Sequence, residues 1–235
     1  MKESKNRKTA LVAGAGILLC LLYAWAGTPL FFRATIGAAA GRVDRAFLLP
    51  SLFHFLATAV LFLALPLWIV TRLMGEKAFD YGWGDGDRKA GLTFFLVGAP
   101  LVLAISWFTS ARPEFQREYP LFAYSLNSFS LRGGNIAFFA LYQLAYLAFY
   151  MAWEFFFRGF LLFGLKPRLG AGGALLAQAV PSALLHYYKP GLELAAAFPG
   201  GIIFGLLALR CRSLKTVIAL HWLLGFSLDL FILIR

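Results

Sequence analysis

Two ionisable residues, Glu154 and Arg158, lie four positions apart inside the otherwise apolar and aromatic stretch 150–162. An ionisable side chain at the centre of a membrane helix costs roughly 2.5–3.5 kcal/mol, so it usually faces the protein interior and has a partner. Residues four apart share one face of a helix, and we therefore expect these two to form an ion pair. The pair either fixes helix packing alone or belongs to a functional site, since buried ion pairs are weak evidence for more than themselves.

Further acidic and imidazole side chains cluster in the C-terminal half of the chain. Glu193 and Asp229 join Glu154 as the acidic residues in or at the ends of apolar segments, and His186 and His221 fall in the same region. Counted along their predicted helices, Glu154, His186 and His221 lie about 16, 21 and 10 Å from the same membrane face. All three depths fall within the hydrocarbon, so we expect the side chains to be able to meet.

These residue types suit peptide hydrolysis, which needs a base to deprotonate water and donors to stabilise the oxyanion. Glu154 could serve as the base, with His186 orienting the same water and His221 donating to the oxyanion. Two histidines and a glutamate are also ligand types for zinc. The chain has no pair of histidines spaced as His-Glu-x-x-His, however, and we favour a mechanism without metal or other cofactor.

The composition is that of a polytopic membrane protein. The chain has 235 residues, of which 60% are hydrophobic, 17% aromatic and 14% charged, with a mean hydropathy of +0.73. A soluble domain would need far more polar surface. The net charge of +11 comes mostly from residues at the ends of apolar segments. Lipid headgroups and topology explain it better than nucleic acid, which we do not expect as a partner.

The apolar segments predict an all-α bundle of about seven membrane spans, or eight if residues 120–132 also enter the membrane. The predicted spans are approximately 9–27, 47–70, 90–110, 135–165, 170–188, 192–209 and 217–234. The fourth is expected to end at Lys166-Pro167, because proline cannot continue a helix. If the chain crosses the membrane at these seven spans, Lys and Arg residues are more numerous on the side that holds the N-terminus than on the opposite side. We therefore expect an integral protein of the cell (inner) membrane with a cytoplasmic N-terminus.

Several short motifs together resemble one family of membrane enzymes. The motifs are Trp153-Glu154-Phe155-Phe156-Phe157-Arg158-Gly159-Phe160-Leu161, His186 followed by Lys189-Pro190, and Arg212-Ser213-Leu214 ahead of His221. They resemble the CAAX-protease and bacteriocin-processing (Abi) family of intramembrane proteases, which includes the prenyl-protein endopeptidases. The resemblance covers about residues 135–230. It suggests two units: N-terminal transmembrane helices and interfacial loops in 1–134, and a CAAX-protease-like transmembrane core in 135–235.

The family pattern has two adjacent glutamates with an arginine four after the second, a phenylalanine four before a histidine, and a second histidine four before an asparagine or similar polar residue. The chain keeps Glu154, Arg158, His186 and His221. It departs at Trp153, Ser182 and Gly225. The first departure matters most, because the resemblance assigns the missing first glutamate as the general base.

Three further residues are assigned supporting roles. Arg158 is expected to hold Glu154 in place. Glu193, at the start of its helix, is well placed to interact with the helix dipole. Asp229 could pair with a basic residue on another helix, but it does not replace the missing asparagine, since it lies eight residues, or about 12 Å, beyond His221.

The resemblance implies an intramembrane endopeptidase that cleaves a membrane-associated protein or a lipidated peptide, with the lipid bilayer as its surroundings. Two alternatives remain open. Trp153 and Gly225 motivate the first, a catalytically inactive family member that binds a membrane partner. The second is a small transporter that uses Glu154, Glu193 and Asp229 as a proton or cation path, although the halves of the chain show no internal symmetry.

Overall fold

The computed structural model describes residues 2–37, 48–122, 131 and 134–235, and this part of the chain forms helices and no strands. The predicted all-α class is therefore confirmed. The α-helices are α1 Lys2–Ala26, α2 Pro29–Phe32, α3 Leu48–Thr58, α4 Leu65–Trp68, α5 Arg88–Thr109, α6 Pro113–Glu118, α7 Gly134–Glu154, α8 Leu162–Leu184, α9 Gly191–Cys211 and α10 Lys215–Ile234. Wider π-helical turns occupy Arg33–Gly37, Ala59–Ala64, Ile69–Leu73 and Phe155–Leu161, and a 3₁₀ turn spans Ala78–Tyr81.

Six helical stretches in the described residues are long and apolar enough to cross a membrane. They are Asn6–Ala26, Leu49–Leu73, Arg88–Thr109, Asn135–Leu184, Gly191–Cys211 and Lys215–Ile234. Large apolar side chains cover their outer faces, as with Val97 and Leu141, which are 71% and 68% exposed. Such a surface is stable only in contact with lipid, and the protein is an integral membrane protein.

The stretch Asn135–Leu184 differs from the predicted pattern. It contains 50 residues, and a straight helix of that length would measure about 75 Å, more than twice the thickness of the hydrocarbon core. The expected end at Lys166-Pro167 is wrong, because the helix continues past Pro167 and breaks at Gly170, where φ is 68° and ψ is 177°. Only glycine adopts this conformation without steric cost, so the chain turns there. The suggested additional segment at 120–132 lies largely outside the described residues.

The core forms where α7 passes into α8 through the π-helical turn. Every residue of Phe155–Leu161 is buried in this turn. The ring of Phe62 stacks on that of Phe156, with centroids 4.1 Å apart. Helix α1 approaches closely at Gly16, where a Cβ atom would lie 2.5 Å from the Leu161 side chain. Aromatic packing of this density fixes the segment that follows Glu154.

Helix α10 is fixed at its N-terminal end by the loop that precedes α5. The Leu214 amide donates to Gly82 O at 2.9 Å, and the Asp87 amide donates to Cys211 O at 2.7 Å. Along its length α10 packs on α5, where the Ser227 hydroxyl donates to Ser106 Oγ at 2.8 Å. These contacts set the position of α10 relative to the core, and α10 carries His221.

Candidate active site

Glu154, the last residue of α7, lies at the centre of the site and is fully buried. Its Oε1 atom accepts a hydrogen bond from His221 Nδ1 at 2.6 Å. Its Oε2 atom lies 3.2 Å from Arg158 Nε, so the ion pair predicted from the sequence is confirmed. One carboxylate thus joins the π-helical turn after α7 to the middle of α10.

Arg158 is 2% exposed and lies within the π-helical turn. Its guanidinium carbon is 5.8 Å from the centroid of the Phe157 ring and 5.9 Å from that of Phe204. Nε and Nη1 make no hydrogen bond to any described residue, although Nε faces the Glu154 carboxylate. The Arg158 charge is therefore balanced by Coulombic attraction to Glu154, an arrangement in which the loss of either partner is costly.

His221 is the accessible member of the site, with 16% of its side chain exposed. Its ring lies 4.5 Å from the Tyr150 ring and 5.3 Å from the Phe204 ring, measured between centroids. Because an ionised carboxylate can only accept, the proton of this hydrogen bond belongs to His221 Nδ1. The Nε2 atom remains for a substrate or a water molecule.

His186 lies in the turn that follows α8, beyond the last residue of that membrane stretch. Its Nδ1 atom is 2.7 Å from the Ser182 carbonyl oxygen, which can only accept, so Nδ1 carries the proton and Nε2 has a lone pair. Burial lowers the pKa of His186 to about 4. The imidazole is therefore neutral at physiological pH. It makes no hydrogen bond to Glu154 or His221 among the described side chains. Its ring packs against that of Trp153, the residue before Glu154.

Trp153 occupies the position at which the resemblance expects the first glutamate. It is 4% exposed, and its ring packs against those of Tyr23, Phe62 and Phe149. The His186 ring meets it edge-on, with 5.4 Å between centroids and 86° between planes. The indole nitrogen has no hydrogen-bond partner within the described parts of the chain. An aromatic side chain, not a carboxylate, thus lies beside His186.

The other two departures have different consequences. Ser182 is buried, and its backbone carbonyl, which any residue would supply, holds His186. At Gly225 a Cβ atom would lie 2.2 Å from the Tyr150 hydroxyl oxygen. Tyr150 therefore fills the space that a side chain at this position would occupy. The sequence reasoning missed Tyr150, for which the signals were its place four residues before Glu154 and the absence of a side chain at 225.

One known protein family matches part of the chain. Residues 135–227 match the family described as Rce1-like, type II CAAX prenyl endopeptidase. The resemblance inferred from the sequence is thereby confirmed for this Rce1-like segment, which contains Glu154, Arg158, His186 and His221. No curated protein and no solved structure matches the chain.

Glu193 belongs to the Rce1-like segment and lies in the first turn of α9. The Tyr119 hydroxyl lies 2.9 Å from each of its carboxylate oxygens and donates to it. Nearby, Lys189 Nζ pairs with Glu118 at 2.7 Å and lies 4.9 Å from the Tyr119 ring centroid. Burial, reinforced by the charge of Glu193, raises the pKa of Tyr119 well above its usual range, so the phenol remains a donor. Glu193 thus connects α9 to the segment after α5, apart from Glu154.

Asp229 lies just beyond the Rce1-like segment and is fully buried. Its Oδ2 atom accepts a hydrogen bond from Gln143 Nε2 at 2.9 Å, and its Oδ1 atom has no partner among the described residues. The basic partner considered from the sequence is not found in this part of the chain, where a neutral amide on α7 takes its place. Asp229 therefore joins α7 to α10 without contacting Glu154.

The donor set was also considered for zinc. Across the described ranges, no group of three or more His, Cys, Asp or Glu side chains lies close enough to hold a metal ion. The Glu154 oxygens are directed to His221 and Arg158, and His186 makes no hydrogen bond to either. In this arrangement the three candidate ligands do not fit a zinc site, and no step below uses a metal.

Proposed function

We propose that this protein is an intramembrane endopeptidase that hydrolyses a peptide bond in a membrane-associated protein or a lipidated peptide. The hydrogen bond of 2.6 Å between Glu154 Oε1 and His221 Nδ1 carries the proposal. It joins residues 67 positions apart, beside the buried Arg158 and inside the segment that matches the Rce1-like family. A buried carboxylate that orients a partly exposed imidazole is typical of hydrolytic sites.

The geometry favours a division of roles that differs from the one suggested by the sequence. Oε1 of Glu154 accepts from His221, and Oε2 forms an ion pair with Arg158 although it has no hydrogen-bond partner in the described residues. The side chain is fully buried, which leaves it poorly placed to reach a water molecule. His186 instead has a neutral ring and a lone pair on Nε2. We assign His186 as the general base, and Glu154 as the residue that orients His221 and balances Arg158.

In this mechanism the water oxygen attacks the carbonyl carbon while His186 Nε2 takes one of the water protons. His221, held by Glu154, donates through Nε2 to the carbonyl oxygen as negative charge develops there. The carbon–nitrogen bond then breaks, and His186 returns the proton to the departing amine. The products are a carboxylic acid and an amine, and the protein is unchanged.

The substrate class follows from the surroundings of the site. The matched family is described as type II CAAX prenyl endopeptidase, and the π-helical turn beside the site contains four phenylalanines, Phe155, Phe156, Phe157 and Phe160. An apolar tail, such as a prenyl chain, suits such surroundings. We further propose that the protein lies in the cell (inner) membrane with its N-terminus in the cytoplasm, because Lys and Arg residues are more numerous on that side.

One observation favours an alternative, a catalytically inactive family member that binds a membrane partner. Trp153 supplies an aromatic ring where the family pattern has a carboxylate. The transporter alternative has less support, because Glu154, Glu193 and Asp229 have separate partners and no hydrogen bond joins them among the described residues.

The test compares peptide termini in membrane fractions from cells that express the native protein or the Glu154→Gln variant at equal membrane levels. We expect at least one terminus that appears only with the native protein, because glutamine is neutral and no longer balances the Arg158 charge beside His221. Identical terminus profiles, in cells where the native protein has a phenotype, would contradict proteolysis and favour the binding alternative.

A further inference from the structure

The space beside Gly225 is occupied by a residue from another helix. A Cβ atom at Gly225 would lie 2.2 Å from the Tyr150 hydroxyl oxygen and 2.9 Å from the ring carbon that carries it. This hydroxyl therefore sits directly against the α10 backbone, where any other residue would place a side chain. The two positions are complementary: the glycine is required by the tyrosine.

The same space adjoins His221. Gly225 follows His221 by four residues, so both lie on one face of α10. Side chains on a helix lean toward its N-terminus, and a polar side chain at 225 would therefore reach toward His221. Tyr150 approaches from α7, with its ring centroid 4.5 Å from that of His221. Its hydroxyl thus replaces a polar group that position 225 lacks.

Tyr150 is also tied to the rest of the site through its own helix. It precedes Glu154 by four residues on α7 and is 6% exposed. Both residues therefore face α10, where Glu154 orients the His221 ring and Tyr150 packs on it. A phenol is a hydrogen-bond donor at every pH at which the site would operate.

We propose that Tyr150 is a catalytic residue whose hydroxyl donates a second hydrogen bond to the oxyanion, beside the bond from His221. This inference rests on the proposed function. The phenol proton stays on its oxygen throughout, and no covalent bond to Tyr150 forms or breaks. The hydroxyl takes the place of the polar residue that the family pattern has four positions after its second histidine.

Tyr81 offers a control in another part of the fold, because Tyr146 on α7 forms a side-chain hydrogen bond with Tyr150 and is not independent of it. The Tyr81 side chain is similarly buried, at 3% exposed. Its hydroxyl donates to Glu76 Oε2 at 2.5 Å. Removal of this hydroxyl therefore tests the effect of a lost buried phenol away from His221.

The experiment uses the full chain in lipid vesicles with a fluorogenic farnesylated peptide that ends in a CAAX motif. We expect Tyr150→Phe to lower kcat by about 10²-fold with KM unchanged, as for the loss of one oxyanion donor. Tyr81→Phe should leave both constants at their native values. An unchanged kcat in Tyr150→Phe, or a rise in KM alone, would overturn the role of Tyr150.

A second set of variants keeps the test valid if Tyr150→Phe is poorly folded. Gly225→Asn alone should be inactive because its side chain collides with Tyr150, and Tyr150→Leu alone should be inactive because it lacks the donor. The double variant Tyr150→Leu with Gly225→Asn should recover activity over both single variants. A double variant no better than the worse single variant would overturn the inference.

Failure of this inference differs from failure of the proposed function. If the native protein cleaves the peptide and Glu154→Gln does not, while Tyr150→Phe retains native kcat, the role of Tyr150 alone is contradicted. If the native protein cleaves no faster than Glu154→Gln, the proposed endopeptidase activity is contradicted, and the oxyanion role is contradicted with it.

Discussion

Helices α7 and α10 are joined by two fully buried carboxylates, and the two have different surroundings. Glu154 on α7 meets the imidazole of His221 and the guanidinium of Arg158. Asp229 on α10 accepts from the neutral amide of Gln143 and lies beside the Tyr142 phenol. Burial of an acidic side chain between the same two helices is therefore not by itself evidence of chemistry.

The two carboxylates differ in whether a charged side chain lies beside them and in whether their partner is exposed. Glu154 has a cation beside it and orients a histidine whose side chain is 16% exposed. Asp229 lies beyond the Rce1-like segment, with no salt bridge in the described structure and an aromatic cluster nearby. We therefore propose reaction chemistry for the first carboxylate and helix packing for the second.

The largest effect is expected at His186. Replacement by asparagine removes the proposed general base, and cleavage of the farnesylated peptide should slow by about 10²–10⁴-fold. In the native protein the pKa of His186 is about 4 because the ring is buried. The neutral ring is the active form, so the protonation of His186 should leave the rate independent of pH near neutrality and lower it about tenfold per pH unit below pH 4.

The acid limb of the pH profile can be checked with a variant at Ser182. Ser182→Ala keeps the backbone carbonyl that holds His186, and its profile should keep the native acid limb. A native acid limb centred near the ordinary histidine pKa of about 6.5 would contradict the assignment of the buried His186 as the base.

The next effect concerns the ion pair. Arg158→Met leaves the Glu154 carboxylate buried without its cation, and the free energy of unfolding should fall by about 3–5 kcal/mol. Thermal unfolding in detergent measures this loss. Arg168→Met, at an exposed position just before the break at Gly170, should change the stability by no more than about 0.5 kcal/mol. Equal stabilities of the two variants would contradict the claim that Glu154, unlike Asp229, depends on a neighbouring cation.

The smallest effect is expected at Asp229. Asp229→Asn keeps the shape of the side chain and an acceptor for Gln143. Cleavage of the farnesylated peptide should stay within about twofold of native, and stability within about 1 kcal/mol. Loss of cleavage comparable to that of His186→Asn would place Asp229 in the reaction and make the comparison of the two carboxylates invalid.

The sequence predicted the central contacts of the site better than its details. The spacing of Glu154 and Arg158 predicted their ion pair, and depths along the predicted helices brought Glu154 and His221 together, as the structure shows. These predictions succeeded because a charge in apolar surroundings is costly unless the side chain has a polar or charged partner. The roles of the individual residues remain proposals.

Other features depend on three-dimensional packing that no local pattern reports. The continuation of the helix past Pro167 is one of them. The break at Gly170, in contrast, coincides with the predicted start of the span 170–188, because a positive φ is less costly for glycine than for other residues. The π-helical turn Phe155–Leu161 has no local sequence signal. The match between Tyr150 and Gly225 becomes visible only once α7 and α10 are in contact.

The most direct measurement is the cleavage of a farnesylated CAAX peptide by the purified protein in lipid vesicles, native against Glu154→Gln. Thermal unfolding checks that each sample contains the same amount of folded protein. Asp229→Asn serves as the variant of the second carboxylate. The account predicts cleavage by the native protein and by Asp229→Asn, and a loss of at least about 10²-fold in Glu154→Gln. Equal rates for the native protein and Glu154→Gln would contradict the claim that the Glu154–His221 contact is the centre of a protease site.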